Sequence, residues 1–123
     1  MMQQTLAKAV TFEGNALHTG ENVTVNLLPA EVNSGIVFVR TDADNTEIPA
    51  LAKHINRTNR QTILQKGEVS VGTVEHLMAS LYALGIDNLR VELNGSEVPI
   101  LDGSAAPLVD LINEAGIEEQ SEE

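Results

Sequence analysis

The clearest hydrophobic pattern in this chain of 123 residues is a helical one that begins at Val74. Thr73 is a favourable N-cap residue, because its hydroxyl can accept a hydrogen bond from an amide of the first turn. Gly85 is a natural end, since glycine adopts left-handed geometry without strain. At 100° per residue the apolar positions share an arc of about 120°, and they are Val74, Leu77, Met78, Leu81 and Leu84. The pattern predicts an amphipathic helix from Val74 to the neighbourhood of Gly85.

A second helical pattern lies near the end of the chain. Pro107 fits the first turn of a helix, and Gly116 fits the position after its end. Between them apolar residues recur with the spacing i, i+3, i+4, i+7, namely Leu108, Leu111, Ile112 and Ala115. Residues 118–123 are rich in glutamate, and we expect them to form a disordered acidic tail.

Alternating apolar and polar positions, separated by turn-forming residues, predict strands in the rest of the chain. These strands cover residues 5–12, 22–28, 36–40, 61–65 and 89–93, and residues 48–50 form at most a short edge strand. Residues 52–61 show no clear period and are predicted to be irregular. Several strands with two one-faced helices predict an α+β fold, a two-layer sandwich whose mixed or antiparallel sheet carries both helices on one face. Residues 1–117 would form this single domain.

Composition narrows the classes of function. The formal net charge is −11, and five of the negative charges lie in the last ten residues. An acidic chain with only three aromatic residues lacks the basic surface and the stacking platforms that nucleic acids require, so we expect no nucleic-acid partner.

Because cysteine is absent, any metal would be held by histidine or carboxylate. No signal-peptide pattern and no apolar run of about 18 residues occurs, which predicts a cytoplasmic protein without a transmembrane segment.

Glu75 and His76 are the leading candidates for chemistry, because they lie outside the apolar stripe at the start of the predicted helix. The positive end of the helix dipole stabilises a carboxylate and disfavours an imidazolium, which leaves His76 a nitrogen lone pair for a metal. In the alternative interpretation, Glu75 only complements the dipole and His76 is a solvated surface residue. Small residues lie on the same outer face of the predicted helix and would allow another protein surface to pack closely against it. They are Ala79, Ser80 and Ala83.

A local basic cluster stands out from the acidic chain. It is typical either of a site that meets an anionic ligand or of a solvated loop that balances nearby acids. Its members are Lys53, His54, Arg57, Arg60 and Lys66.

Three further segments carry a family resemblance. They are Gly-Asn-Ala-Leu-His-Thr-Gly at residues 14–20, Thr-Val-Glu-His-Leu at residues 73–77 and Glu-Val-Pro-Ile-Leu-Asp-Gly-Ser-Ala at residues 97–105. In this order they resemble the UDP-3-O-acyl-N-acetylglucosamine deacetylases. The resemblance extends over nearly the whole chain, departs at Asn15, where the family commonly has a small aliphatic residue, and concerns the N-terminal domain alone.

The resemblance implies an enzyme of two similar α+β domains with a zinc ion in the cleft between them. It implies that His76 is a zinc ligand and that Glu75 is the general base that takes a proton from water. The family's other zinc ligands come from a His-x-x-x-Asp motif in the second domain, and this sequence contains no such motif. Because one imidazole should hold zinc only weakly, we predict that this chain alone neither retains zinc nor deacetylates.

The resemblance also suggests residues near the substrate. His18 lies in a loop that resembles one near the family's active site, although a structural or exposed histidine also fits. The stretch from Arg57 to Thr62, which includes Arg60, resembles a segment at the rim of the cleft that helps enclose the substrate. Residues 97–104 supply turn formers before the second helix and are interpreted as structural.

The leading hypothesis is the N-terminal half of a zinc-dependent amidohydrolase of lipid A biosynthesis. Its partner would be the second domain of the same enzyme, and its substrate a UDP-linked acylated glucosamine that loses acetate. The alternative is a non-catalytic α+β module that binds another protein through the small-residue face of the first helix. A metalloprotease does not fit, because His-Glu-x-x-His is absent.

Overall fold

A computed structural model describes residues 2–57, 62–99 and 106–121 of the chain. The strands in these residues are β1 (Gln4–Leu6), β2 (Val10–Asn15), β3 (Asn22–Pro29), β4 (Ile36–Arg40), β5 (Thr46–Pro49), β6 (Ile55–Arg57), β7 (Thr62–Lys66), β8 (Val69–Gly72), β9 (Leu89–Leu93) and β10 (Ile117–Glu119). The helices are α1 (Glu75–Ala83) and α2 (Ala106–Ala115), with a short 3₁₀ helix at Ala52–His54. Neither α1 nor α2, the two α-helices of the described ranges, has the length and apolar character to cross a membrane.

The largest sheet of the described residues has five strands in the order β2-β3-β9-β4-β5. Neighbouring strands are antiparallel except for β4 and β9, which run parallel, so the sheet is mixed. Strand β5 lies at one edge, where Pro49 can be accommodated because an edge strand leaves half of its backbone groups outside the ladder. The short edge strand predicted at residues 48–50 is therefore confirmed at Thr46–Pro49.

One face of this sheet packs on both helices. Leu27 of β3 and Val91 of β9 are register partners, and neither is exposed. The same hydrophobic core contains Leu77 of α1 and Ile112 of α2, which are also fully buried. Because side chains two positions apart share a face of a strand, the alternation predicted for residues 89–93 places its apolar members on the helix side. The predicted α+β sandwich is confirmed.

The opposite face of the sheet is covered by charged side chains. Arg90 donates hydrogen bonds to Glu92 on its own strand at 2.7 Å and to Glu47 on β5 at 3.0 Å. These three side chains lie over the outer face, where Val39 of β4 is the register partner of both glutamates and is itself buried. In the described part of the chain, charged side chains therefore cover the outer face over β9 and β5.

A three-stranded sheet of β6, β7 and β8 lies beside the main sheet. Arg40 joins the two sheets, since its Nη1 donates to the carbonyl of Ser70 at 2.8 Å. The predicted irregular segment at residues 52–61 is thus partly regular, with a 3₁₀ helix followed by β6, while residues 58–61 lie outside the described ranges. The prediction also missed β8, which has only four residues and alternates weakly.

Two expectations about the ends of the domain are wrong. The single strand expected at residues 5–12 is divided into β1 and β2, because the two halves pair with different partners, β10 and β3. The disordered tail expected from residue 118 is ordered at Glu118, Glu119 and Gln120. Strand β10 pairs with β1, and the N–H of Gln120 donates to the carbonyl of Gln3 at 2.7 Å. Backbone pairing tolerates the negative charge here because the side chains of β10 stay exposed.

Candidate active site

Glu75 is the first residue of α1, and its two carboxylate oxygens have different environments. Oε2 accepts a hydrogen bond from the N–H of Thr62 at 2.9 Å, which ties the helix to the start of β7. Oε1 is buried and accepts no hydrogen bond from the described residues. Buried polar atoms are nearly always paired, so an unpaired carboxylate oxygen marks a place where a further donor is expected. The geometry fits an acceptor that takes a proton from a bound molecule.

A small pocket opens beside Glu75. Its volume is about 180 Å³, which is below the range of pockets that bury a drug-sized ligand and suits a short group. Apart from Thr62 and Glu75 its lining is apolar, contributed by Ala50, Ile55, Leu64, Val74 and Met78. An apolar wall strengthens the electrostatic effect of the carboxylate, because it excludes water from one side.

His76 follows Glu75 on α1 and is half-buried. Its carbonyl accepts a hydrogen bond from the hydroxyl of Ser80 at 2.9 Å, as expected one helical turn later. Within the described ranges, no three His, Cys, Asp or Glu side chains are grouped so that they could hold a metal ion together. A catalytic zinc site takes three protein ligands, of which this helix offers one imidazole beside one carboxylate. These residues therefore fit part of a zinc site, in which His76 would be one of the three protein ligands.

The small-residue face proposed for α1 is only partly correct. Ala79 and Ala83 are exposed as expected, but Ser80 is 1% exposed. Ser80 is buried because it borders the apolar stripe and because α2 packs against α1. The exposed part of the helix is instead dominated by Tyr82, which is 89% exposed.

Thr73 does not cap α1 as predicted. The helix starts after Val74, and no side chain caps it. Thr73 has a φ of 57°, in the left-handed region that a β-branched residue rarely adopts, and it is buried. Its hydroxyl donates a hydrogen bond to Oε2 of Glu97. The capping prediction fails because a buried carboxylate from another part of the chain takes the hydroxyl that would have bonded to the first turn.

Glu97 is the residue of this region that sequence reasoning missed. It is 2% exposed and binds the loop that contains His18, whose ring Nδ1 lies 2.5 Å from Oε2. The sequence pattern of residues 97–104 indicates only a structural, turn-forming segment. A stronger signal was present, because a glutamate placed directly before Val98 and Pro99 in an apolar segment must find a partner if it is buried.

The structure describes some of the other candidate residues and not others. The N–H of Thr62 donates to Glu75, and in the register of β6 and β7 Thr62 lies opposite Arg57. A role for Thr62 near the substrate stays a prediction. The side chain of Arg57 and the whole of Arg60 lie outside what the structure describes, so their contact with substrate stays a prediction. The contacts described above form two groups, Thr62 with Glu75 and His18 with Thr73 and Glu97. The groups adjoin at Val74, which lies between Thr73 and Glu75 in the chain and whose N–H donates to the carbonyl of Thr62 at 3.4 Å.

Comparison with known proteins confirms the family resemblance. A family model described as UDP-3-O-acyl N-acetylglycosamine deacetylase (LpxC) matches residues 3–123. A UDP-3-O-acyl-N-acetylglucosamine deacetylase of Myxococcus xanthus (strain DK1622) is 56% identical over 119 residues, which are 96% of this chain and 38% of that protein. A protein of the same name from Citrifermentans bemidjiense is 50% identical over 118 residues, which are 95% of this chain and 39% of that protein. The chain spans less than two fifths of the length of either relative.

Proposed function

This chain belongs to the UDP-3-O-acyl N-acetylglycosamine deacetylase family, and on that premise we propose that it forms the N-terminal part of a zinc-dependent deacetylase. The substrate would be UDP-3-O-acyl-N-acetylglucosamine, whose acetamide bond is hydrolysed by water to give acetate and a free amine, in a step of lipid A biosynthesis. The names of the two relatives support this substrate. A cytoplasmic location is part of the same proposal.

The observation that carries the proposal is the unpaired oxygen of Glu75. Its other oxygen is occupied by the N–H of Thr62, so the carboxylate cannot rotate without losing a hydrogen bond. Oε1 is therefore held in place with a lone pair that no described group uses. A carboxylate in this state can take a proton from a water molecule that attacks an amide. We propose that the acid which protonates the leaving amine belongs to the second domain.

His76 is the residue of this chain that would hold zinc. The ion would polarise the acetamide carbonyl and lower the pKa of a bound water towards about 7. Because His76 is adjacent to Glu75 at the first turn of α1, one helix end positions both groups. The ordinary set of three protein ligands would be completed from outside the described residues, and we propose that a second domain supplies them. We also propose that the chain on its own neither retains zinc nor deacetylates.

Variants of the full-length parent protein test the two roles separately. We expect Glu75→Gln to reduce kcat by roughly 10²- to 10⁴-fold and to leave the zinc content, measured by atomic absorption, unchanged. We expect His76→Ala to lower the zinc content itself. Matched controls are Glu68→Gln, at an exposed turn, for kcat, and His54→Ala for zinc content. Full kcat in Glu75→Gln, or full zinc content in His76→Ala, would remove the residue from its proposed role.

A mixing experiment tests the division between domains. The chain of residues 1–123 is combined with a separately produced second domain, and zinc content and deacetylation are measured before and after mixing. Zinc binding and turnover that appear only in the mixture support the proposal. Turnover by the chain alone would contradict its predicted inactivity. Association without zinc binding or turnover would favour the non-catalytic interaction module.

A further inference from the structure

The carboxylate of Glu97 is the centre of a buried hydrogen-bond cluster. Oε1 accepts hydrogen bonds from the backbone N–H groups of His18 at 3.0 Å and Thr19 at 3.2 Å. Oε2 accepts a hydrogen bond from the hydroxyl of Thr73 and contacts Nδ1 of the His18 ring. Four groups from two distant segments thus converge on one side chain that is 2% exposed. Hydrogen bonds to an ionised carboxylate are about twice as strong as neutral ones.

The backbone around Glu97 is held as firmly as its side chain. The N–H of Gly72 donates to the carbonyl of Ser96 at 2.8 Å, and the N–H of Val98 donates to the carbonyl of Gly72 at 3.0 Å. These two bonds form a parallel bridge between Gly72 and Glu97. Glu97 is therefore fixed to the residue that precedes Thr73, and its carboxylate cannot move independently of the start of α1.

The conformation of Thr73 needs such support. A β-branched residue in the left-handed region is strained, and this conformation persists only where the surroundings determine it. The hydroxyl of Thr73 points to the buried Glu97, and two residues later α1 begins with Glu75. A change in φ at Thr73 would turn the first residues of the helix, and with them Glu75 and His76, away from their present direction.

The His18 ring is also fixed by this cluster. An ionised carboxylate has no proton to donate, so the ring nitrogen that faces Glu97 must carry the proton. This requirement places hydrogen on Nδ1 and leaves Nε2 as the nitrogen that can meet a ligand. The His18 side chain is a quarter exposed, so the ring contacts the buried Glu97 on one side and remains accessible to solvent on the other.

We propose that Glu97 is a positioning residue of the active site, which holds His18 in the Nδ1–H form and holds Thr73 in the left-handed conformation that directs Glu75 and His76. One carboxylate thereby sets the orientation of three candidate residues from two segments that are far apart in sequence. The effect on turnover rests on the proposed deacetylase function, whereas the effects on the His18 ring and on α1 do not.

The first test is the Glu97→Gln variant of the full-length parent protein, with Glu68→Gln as control. The amide oxygen of glutamine can still accept from the two backbone N–H groups, but its NH₂ group can only donate towards Nδ1. We expect ¹⁵N NMR of the His18 ring to show protonated Nδ1 in the wild type and in Glu68→Gln, and protonated Nε2 in Glu97→Gln. The same form of the ring in all three proteins would overturn the proposal.

Turnover supplies the second readout. Displacing groups that act on the substrate by about 1 Å can cost 10²-fold in rate, so we expect kcat of Glu97→Gln to fall by roughly 10- to 100-fold. If the wild type deacetylates and Glu97→Gln keeps its full kcat, the positioning role is refuted. If the wild type does not deacetylate, the proposed function fails, and the NMR result still decides whether Glu97 fixes His18.

A pair of Thr73 variants gives a result even if Glu97→Gln does not fold. Thr73→Gly loses the hydroxyl but adopts a positive φ without strain, whereas Thr73→Val loses the hydroxyl and keeps the strain. We expect the backbone amide shifts of Glu75 and His76 to stay close to wild type in Thr73→Gly and to move in Thr73→Val. Equal shifts in the two variants would contradict the claim that the conformation of Thr73 directs the helix.

Discussion

The side-chain amide of Asn88 donates a hydrogen bond to Oε1 of Gln120 at 2.7 Å. The same Nδ2 donates to Oε1 of Gln3 at 2.8 Å, and Oδ1 accepts the N–H of Gly35 at 2.9 Å. Asn88 is 2% exposed, so all of these bonds replace contacts with water. One buried amide thus joins the beginning of the domain, its end and the turn before β4.

Replacing this amide should cost much of the stability of the domain. In Asn88→Ala the N–H of Gly35 loses its acceptor and Oε1 of Gln120 loses its donor. We expect the free energy of unfolding to fall by about 2–3 kcal/mol. Urea denaturation measures the change. Asn113→Ala, at an exposed position of α2, is the control and should change stability by no more than about 0.5 kcal/mol. Similar values for both variants would mean that the buried network contributes little.

A variant of Gln120 tests whether the ordered part of the acidic segment contributes to the stability of the domain. Its Nε2 donates to the carbonyl of Ala30 at 2.8 Å, in addition to the bond with Asn88. We expect Gln120→Ala to reduce the free energy of unfolding by about 1–2 kcal/mol and Glu119→Ala, at an exposed site of β10, to have little effect. A disordered segment would leave both variants as stable as the wild type.

Glu97 should make stability depend on pH in the acidic range. Burial by itself raises the pKa of Glu97, but hydrogen bonds from Thr73, from the His18 ring and from the backbone N–H groups of His18 and Thr19 outweigh it, so the pKa is lowered from 4.5. A lowered pKa in the folded state means that the stabilisation is complete above the unfolded-state value and is lost as pH falls through the folded-state value.

Urea denaturation between pH 6 and pH 3, a range chosen to bracket the carboxylate pKa of about 4, measures this dependence. We expect the wild type to lose stability more steeply than Glu97→Gln as pH falls below about 4.5. The exposed Glu68→Gln variant should follow the wild type. Parallel curves for the wild type and Glu97→Gln would show that the folded and unfolded pKa values of Glu97 are alike.

Gly95 lies where the chain leaves β9, and the core leaves no space for a side chain there. A Cβ atom at this position would lie 2.6 Å from Cγ2 of Val23, which is fully buried. We expect Gly95→Ala to lower the free energy of unfolding by about 1–3 kcal/mol, because the packed neighbour must shift. Combining it with Val23→Ala should cost less than the sum of the single changes, since the smaller side chain makes room. If the losses of unfolding free energy of the two single variants simply add, the strain in Gly95→Ala does not arise from contact with Val23.

The elements that the sequence predicts well are those in which local periodicity and burial agree. Helix α2 has its apolar side chains at helical spacing with Gly116 in the left-handed region after its end, and β9 alternates strictly between buried and half-buried residues. Because these patterns arise within ten residues, no distant contact is needed to recognise them. Gly85, with a φ of 73°, ends the first helix as its residue type indicates.

The features that escaped prediction depend on residues far apart in the chain. Thr73 is a good capping residue in isolation, and only the buried carboxylate of Glu97, 24 positions later, changes its role. Strand β10 is poor in apolar residues, and its pairing with β1 cannot be inferred from local pattern. In the candidate site, the helical pattern indicates Glu75 and the family resemblance indicates Thr62, whereas the hydrogen bond between them and the unpaired oxygen required the fold.

The pairing of Gln4 with Glu119 has a consequence for the nascent chain. Strand β1 leaves the ribosome before β10, which follows only after more than a hundred further residues. At ordinary rates of translation this is a delay on the order of ten seconds. During this interval β1 offers free backbone groups to any other extended segment. We therefore expect β1 to be prone to aggregation until β10 has been synthesised and pairs with it.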